Sequence, residues 1–259
     1  MAREQSRMKN VLSCRDLPIR YLDIPKCGCT FIKNLFWRLD HGESYANPPR
    51  IHERTRDFAR LDQFGLTVDE VCTEPYCFVV LRNPLDRFLS LYFDKVIGDG
   101  YRKFVPLRST LRDNHSLNVD AKTPQDHTRN CHILIDWIEA NLSTGNEMGR
   151  DVHWTSQYAR IRTIRSFDMK VLSLNGLDDS LTMLLSPILP DIKNTLGNLE
   201  RYTTNSKEMK SQILNAALKD RIHQIYRRDR ENFDKLHDVW QTLMPKTCAE
   251  IPRASQIFE

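Results

Sequence analysis

Lys26, Gly28, Thr30, Arg82 and Ser90 are the residues whose types and spacing could do chemistry. The first three stand in Pro25-Lys26-Cys27-Gly28-Cys29-Thr30, a short loop between β-compatible residues ending at Ile24 and apolar residues at helical spacing (Phe31, Ile32, Leu35, Phe36, Leu39). A loop feeding a helix N-terminus offers unpaired N–H groups and the positive end of the helix dipole, which suits a phosphate. Lys26 adds a full charge, and Gly28 permits a backbone conformation that a side chain would obstruct. This is not a Walker A loop, because the lysine precedes the glycine and no Lys-Ser/Thr pair opens the helix. Arg82 follows the apolar run Cys77–Leu81, and Ser90 lies eight positions further on. An arginine fork can clamp a phosphate through two hydrogen bonds, and a hydroxyl adds another donor. The plainer readings are a surface lysine in an ordinary turn, and an arginine paired with Asp86.

These residues need strands and helices to place them. Tyr21–Ile24 reads as a first strand ended by Pro25, with a helix running to about Asp40. The segment His41–Arg50, with Gly42 and the Pro48-Pro49 pair, is a breaker region. Thr67 with Glu70 is a capping box for a short helix. Cys77–Leu81 reads as a strand buried on both faces, followed by a helix over Leu85–Ile97. Gly98–Asp126 reads as irregular, Cys131–Leu142 as a helix, Met169–Leu174 as a strand and Leu177–Leu185 as a helix. Pro187–Asn205 reads as loop, and one long helical pattern begins near Ser206. The alternation implies an α/β fold: a single domain with a central, mainly parallel sheet flanked by helices, and binding loops at the strand C-termini. Residues 1–18 read as a loosely held lead-in, 19–245 as the domain and 246–259 as a C-terminal tail.

The 259 residues carry a net charge of +4, mild enough to suit an anionic ligand, and no Lys/Arg block points to nucleic acid. Seven cysteines, an odd number without paired C-x-x-C spacing, argue against both a disulfide framework and zinc. Met1–Asp16 has no apolar run, so neither a signal peptide nor a membrane anchor is read there. Taken as complete, the chain is expected to be soluble and cytoplasmic.

Pro25–Thr30 resembles the 5′-phosphosulfate loop of sulfotransferases, Pro-Lys-x-Gly-x-Thr. Phe78–Tyr92, with Arg82, Pro84, Arg87, Ser90 and Tyr92 in place, is similar to the 3′-phosphate motif of the carbohydrate (family 2) branch of the enzymes that use 3′-phosphoadenosine 5′-phosphosulfate (PAPS). Asp151-Val152-His153-Trp154 and Ile225–Phe233 resemble later pieces of that branch. The resemblance implies a P-loop-NTPase-like sulfotransferase fold and transfer of a sulfuryl group from PAPS to a carbohydrate hydroxyl, releasing PAP without a metal. It implies that the backbone of Cys27, Gly28, Cys29, Thr30 and Phe31 and the Thr30 hydroxyl hold the 5′-phosphosulfate. Arg82 and Ser90 would hold the 3′-phosphate, and Lys26 would stabilise charge on the leaving group. It implies a base in the segment after the first helix, where Ile51-His52-Glu53 stands; His52 is the first candidate and Glu53 the second. His153 and Trp154 would line the acceptor pocket or simply pin a loop. Arg201–Asn205 would close over the nucleotide. Members anchored by an N-terminal membrane helix exist, and a chain without one reads as a soluble bacterial enzyme rather than a truncated Golgi type. Two other classes stay open: a catalytically silent nucleotide- or glycan-binding module, and a divergent nucleotide-dependent kinase.

Overall fold

The computed structural model describes residues 8–98, 102–142, 151–163, 167–202 and 206–258. Among the described residues five strands, β1 (Val11–Ser13), β2 (Arg20–Leu22), β3 (Ala59–Arg60), β4 (Cys77–Leu81) and β5 (Lys170–Ser173), form one mixed sheet of order β3-β1-β2-β4-β5. β2, β4 and β5 run parallel, with Tyr21 opposite Phe78 and Val79 opposite Val171. Their C-terminal ends therefore lie side by side, and the loops leaving them are brought together. β1 pairs antiparallel with both β2 and β3.

Contacts divide the chain into two compact units. The first comprises Met1–Arg82, Gln157–Tyr202 and Asn232–Glu259, and it contains the whole sheet. Every residue of β4 is buried, as its continuous apolar run requires. Tyr21 is fully buried between Phe78 and Phe36, at ring separations of 5.3 and 6.3 Å, which fastens the helix Cys29–His41 to the sheet. The second unit, Asn83–Ser156 and Thr203–Glu231, is helical and has its own core around Phe88, Leu134, Trp137, Trp154 and Tyr226.

Several expected elements come out differently. Val11–Ser13, inside the expected lead-in, is a wholly buried strand: its apolar residues cover the sheet beside β2. The 246–259 stretch is also part of the first unit, since Val171 donates to the Pro252 carbonyl and Ala254 donates to the Met169 carbonyl. Gly98–Asp126 contains a helix, Val105–His115, anchored by buried Leu107 and Leu111. The helix after β4 is α-helical only over Pro84–Leu91 and continues as a π-helical turn over Tyr92–Ile97. The long C-terminal pattern is three helices, Ser206–Ile213, Ala216–Ile225 and Arg227–Leu243. Asn215 makes the first break: it is extended, and its side chain accepts from the Leu218 N–H as an N-cap.

Candidate functional site

The turn after β2 is held in a strained shape. Lys26 has φ of 69° and Gly28 φ of 80°, both left-handed, and Gly28 is the N-cap of Cys29–His41. A Cβ on Gly28 would come within 2.8 Å of Leu174 Cδ1, a side-chain end that can shift, so it is the positive φ that calls for glycine here. The first turn of this helix carries no acidic side chain, leaving the positive dipole end uncompensated from within. Thr30 and Lys26 are partly exposed there, while Cys27, Cys29 and Phe31 are buried. The Cys27 N–H donates to the Ile24 carbonyl at 3.3 Å, and its thiol donates to Gln157 Oε1 at 3.0 Å. Both donors of Cys27 are thus engaged inside the protein, which narrows its expected part in anion binding to shaping the loop. Burial raises the Cys29 thiol pKa, keeping it neutral. Over Phe31 lies the Arg201 guanidinium, 4.4 Å from the ring centroid; of the segment expected to close over the nucleotide, 203–205 lie outside the described residues.

Arg82 leaves the end of β4 next to this turn. Its Nη1 donates to the Lys26 carbonyl at 3.0 Å, so the arginine braces the left-handed lysine. Asp86, the alternative partner of Arg82, pairs instead with Lys210 at 2.6 Å.

His52 reaches the same loop from the 3-10 helix Pro48–Arg54, which buried Ile51 anchors. Its Nε2 is 2.9 Å from Thr30 Oγ1, and its Nδ1 is 3.1 Å from Lys33 Nζ. Lys33 is buried on the helix and pairs with Asp23 Oδ2 at 2.6 Å. Burial would raise the Asp23 pKa, yet the Lys33 charge and its hydrogen bond outweigh this and hold it below the usual carboxylate value. An ammonium donating to Nδ1 leaves the ring proton on Nε2, pointing to the Thr30 oxygen. Glu53, the second base candidate, is exposed and pairs with Arg50 at 3.3 Å. The structure therefore brings Lys26, Gly28, Cys29, Thr30, Arg82 and His52 together and leaves Glu53 on the surface.

In the helical unit, Ser90 is buried in Pro84–Leu91. Trp154 is a core residue, 1% exposed, packed edge-on against Trp137 and Phe104 at 5.4 and 5.7 Å. His153 Nδ1 lies 2.5 Å from Asp151 Oδ1, and Lys103 reaches the other carboxylate oxygen at 2.6 Å. Burial lowers the His153 pKa, and the neighbouring Lys95 and Lys103 add to this against Asp151, so the imidazole is neutral and donates from Nδ1. Arg87 Nη2 donates to the carbonyls of Val152 and His153 at 3.3 and 3.1 Å, and Tyr226 Oη donates to that of Trp154 at 2.8 Å. The two later motif pieces thus meet where Tyr226, between the helices Ala216–Ile225 and Arg227–Leu243, holds the 151–154 loop.

Sequence reasoning missed Asp23, Lys33 and Gln157. A lysine between Ile32 and Asn34 on a buried helical face was the available signal for Lys33, and the odd composition of 151–157 was the signal for Gln157. Among the described residues no group of three or more His, Cys, Asp or Glu is placed to hold a metal, and no helix is long and apolar enough to cross a membrane.

No curated protein and no solved structure matches this chain. The family model described as "Sulfotransferase family" matches residues 9–235, from just before β1 into the helix Arg227–Leu243. With the loop, the strand-end arginine and the pinned His-Trp segment inside that span, the chain is a member of the sulfotransferase family, family 2.

Proposed function

We propose that this sulfotransferase moves the sulfuryl group of PAPS to a hydroxyl of a carbohydrate or sugar-bearing acceptor and releases PAP. One observation carries the reading: a left-handed lysine at an acid-free helix N-terminus, braced through its carbonyl by the arginine at the end of the adjacent parallel strand. A phosphate–sulfate anion suits this turn, because the helix dipole and Lys26 are both positive and no acidic side chain stands in the first turn. PAPS supplies an activated sulfur whose bond to the bridging oxygen breaks as the acceptor oxygen bonds to it.

The residues divide that work. The N–H groups of Gly28 to Phe31 and the Thr30 hydroxyl bind the 5′ end. Lys26 neutralises the charge that builds on the departing oxygen. Arg82 reads the 3′-phosphate, a role that the sequence resemblance extends to Ser90. His52 takes the acceptor proton at Nε2. For this the ring must carry its own proton on Nδ1, so the Lys33 bond to Nδ1 opens and Lys33 stays with Asp23. The carbohydrate acceptor rests on the resemblance of the Phe78–Tyr92 motif to that branch.

Thermal unfolding with PAP, AMP, ATP and GTP tests the donor site, since a ligand bound only by the folded state raises the melting temperature. Stabilisation by PAP but not AMP, lost in Arg82→Ala, is the expected outcome, followed by sulfate transfer from labelled PAPS to a panel of glycans. Stabilisation by ATP or GTP with no response to PAP would overturn the reading in favour of a kinase. PAP binding without transfer to any hydroxyl acceptor would favour a silent binding module.

A further inference from the structure

Gln157 is almost wholly buried, 2% exposed, at the start of the helix Gln157–Arg162. Its carboxamide exchanges two hydrogen bonds with the backbone of Arg82: the Arg82 N–H donates to Oε1, and Nε2 donates to the Arg82 carbonyl, each at 2.9 Å. A neighbouring strand would make the same pair of bonds, so the side chain continues the ladder one residue beyond β4, which ends at Leu81. The same Oε1 accepts the Cys27 thiol at 3.0 Å, which fills both lone pairs of the oxygen. Arg82 in turn holds the Lys26 carbonyl, and the Cys27 N–H is tied back to Ile24. The lysine loop and the strand-end arginine are thereby joined twice, once through the guanidinium and once through the Gln157 amide.

We infer that Gln157 is a positioning residue for the donor site: it fixes the backbone of Arg82 against the Lys26–Gly28 turn, and so sets the spacing at which the two ends of a bisphosphorylated nucleotide are gripped. An apolar residue of the same size would fill the space and leave the Arg82 N–H and C=O without this partner. A glutamate would keep the accepting oxygen and lose the donated bond to the Arg82 carbonyl. Neither change removes a side chain that meets the nucleotide.

This inference rests on the proposed reading of the donor site, and the experiment separates the two. Affinities for PAP and AMP are measured by titration calorimetry for the parent protein, Gln157→Leu, Gln157→Glu, Arg82→Ala and the Gln157→Glu/Arg82→Ala double variant. Failure of the parent to prefer PAP over AMP overturns the donor-site reading itself. With that preference present, Gln157→Glu is expected to weaken PAP about tenfold, the scale of one lost buried hydrogen bond, and AMP by less than about threefold. In the Arg82→Ala background the same change is expected to cost almost nothing, because the two act as one unit. Equal losses for PAP and AMP, or the same loss with and without the Arg82 side chain, would reduce Gln157 to a fold-stabilising residue and overturn the inference. Gln157→Glu carries the test if Gln157→Leu does not fold, and a PAP preference unchanged in any folded variant overturns it as well.

Discussion

Lys33 and Asp23 form an ion pair at 2.6 Å, with side chains 4% and 18% exposed, directly behind the loop that carries Lys26. A charge in such a place is tolerated because its partner is there, and removing one member is costly. Lys33→Met is expected to destabilise the fold by about 3 kcal/mol in urea unfolding at pH 7. The pH dependence should reverse as well. In the parent, the Asp23 pKa is lowered relative to its unfolded value of 3.8, so its contribution is present above that pH and is lost as the solution is acidified through the folded pKa. Without Lys33 the two largest opposing effects are gone, leaving only the charges of His52 and Arg160 against burial, and the pKa is expected to rise. The variant should therefore recover part of its deficit between about pH 6 and pH 4. A deficit that stays constant with pH would show that Asp23 does not feel Lys33.

In the proposed reading Lys26 combines a chemical role with a backbone cost. A non-glycine residue at φ 69° stores about 1 kcal/mol or more. Lys26→Gly should relieve that strain, giving a melting temperature at least equal to the parent's, whereas Lys26→Ala should not. Both should lose transfer from PAPS by about a hundredfold or more in kcat, with PAP binding reduced much less, because the charge matters most as the leaving oxygen departs. Equal losses in kcat/KM and PAP affinity would assign Lys26 to binding alone.

His153 provides a third handle. Its folded pKa lies below the unfolded value of 6.5 because of burial and two nearby lysines. The unfolded chain then binds the proton first, so this residue subtracts stability as pH falls below about 6.5 and nothing above it. Unfolding free energy measured from pH 7.5 to 5 should fall less steeply in His153→Gln than in the parent. A steeper fall would mean that the Asp151 bond dominates and that the imidazole is charged.

The legibility of this chain in its sequence follows physical lines. Cys77–Leu81 and Leu177–Leu185 were read with their true bounds, because a strand buried on both faces and a helix opened by Gly176 both leave strong local patterns. The capping box at Thr67 was equally visible, with Glu70 accepting from Thr67 N–H at 2.7 Å. β1 escaped notice because three residues are too few to show a period, and its strand character comes from its partners. The break at Asn215 was hidden by apolar residues that keep helical spacing across it. In the candidate site, the loop residues that the structure brings together stand in the motif itself. Lys33, Asp23 and Gln157 were not legible, since each acts through a partner distant in sequence: His52, Lys33 and Arg82.

The strap formed by Pro252 and Ala254 along β5 has a consequence for how the protein behaves in a tube. β5 ends the sheet: the strap takes up the Val171 N–H and the Met169 carbonyl just before β5, Trp240 Nε1 donates to the Val171 carbonyl, and Lys170 Nζ donates to the carbonyls of Ala249 and Ile251. Cutting the chain after residue 245 would strip this cover and present an open ribbon edge, a template on which other molecules can add strands. Such a truncated protein should cloud and sediment on concentration, as dynamic light scattering would register, while the full chain stays monodisperse. The last residues act as the sheet's own guard against sticking to itself.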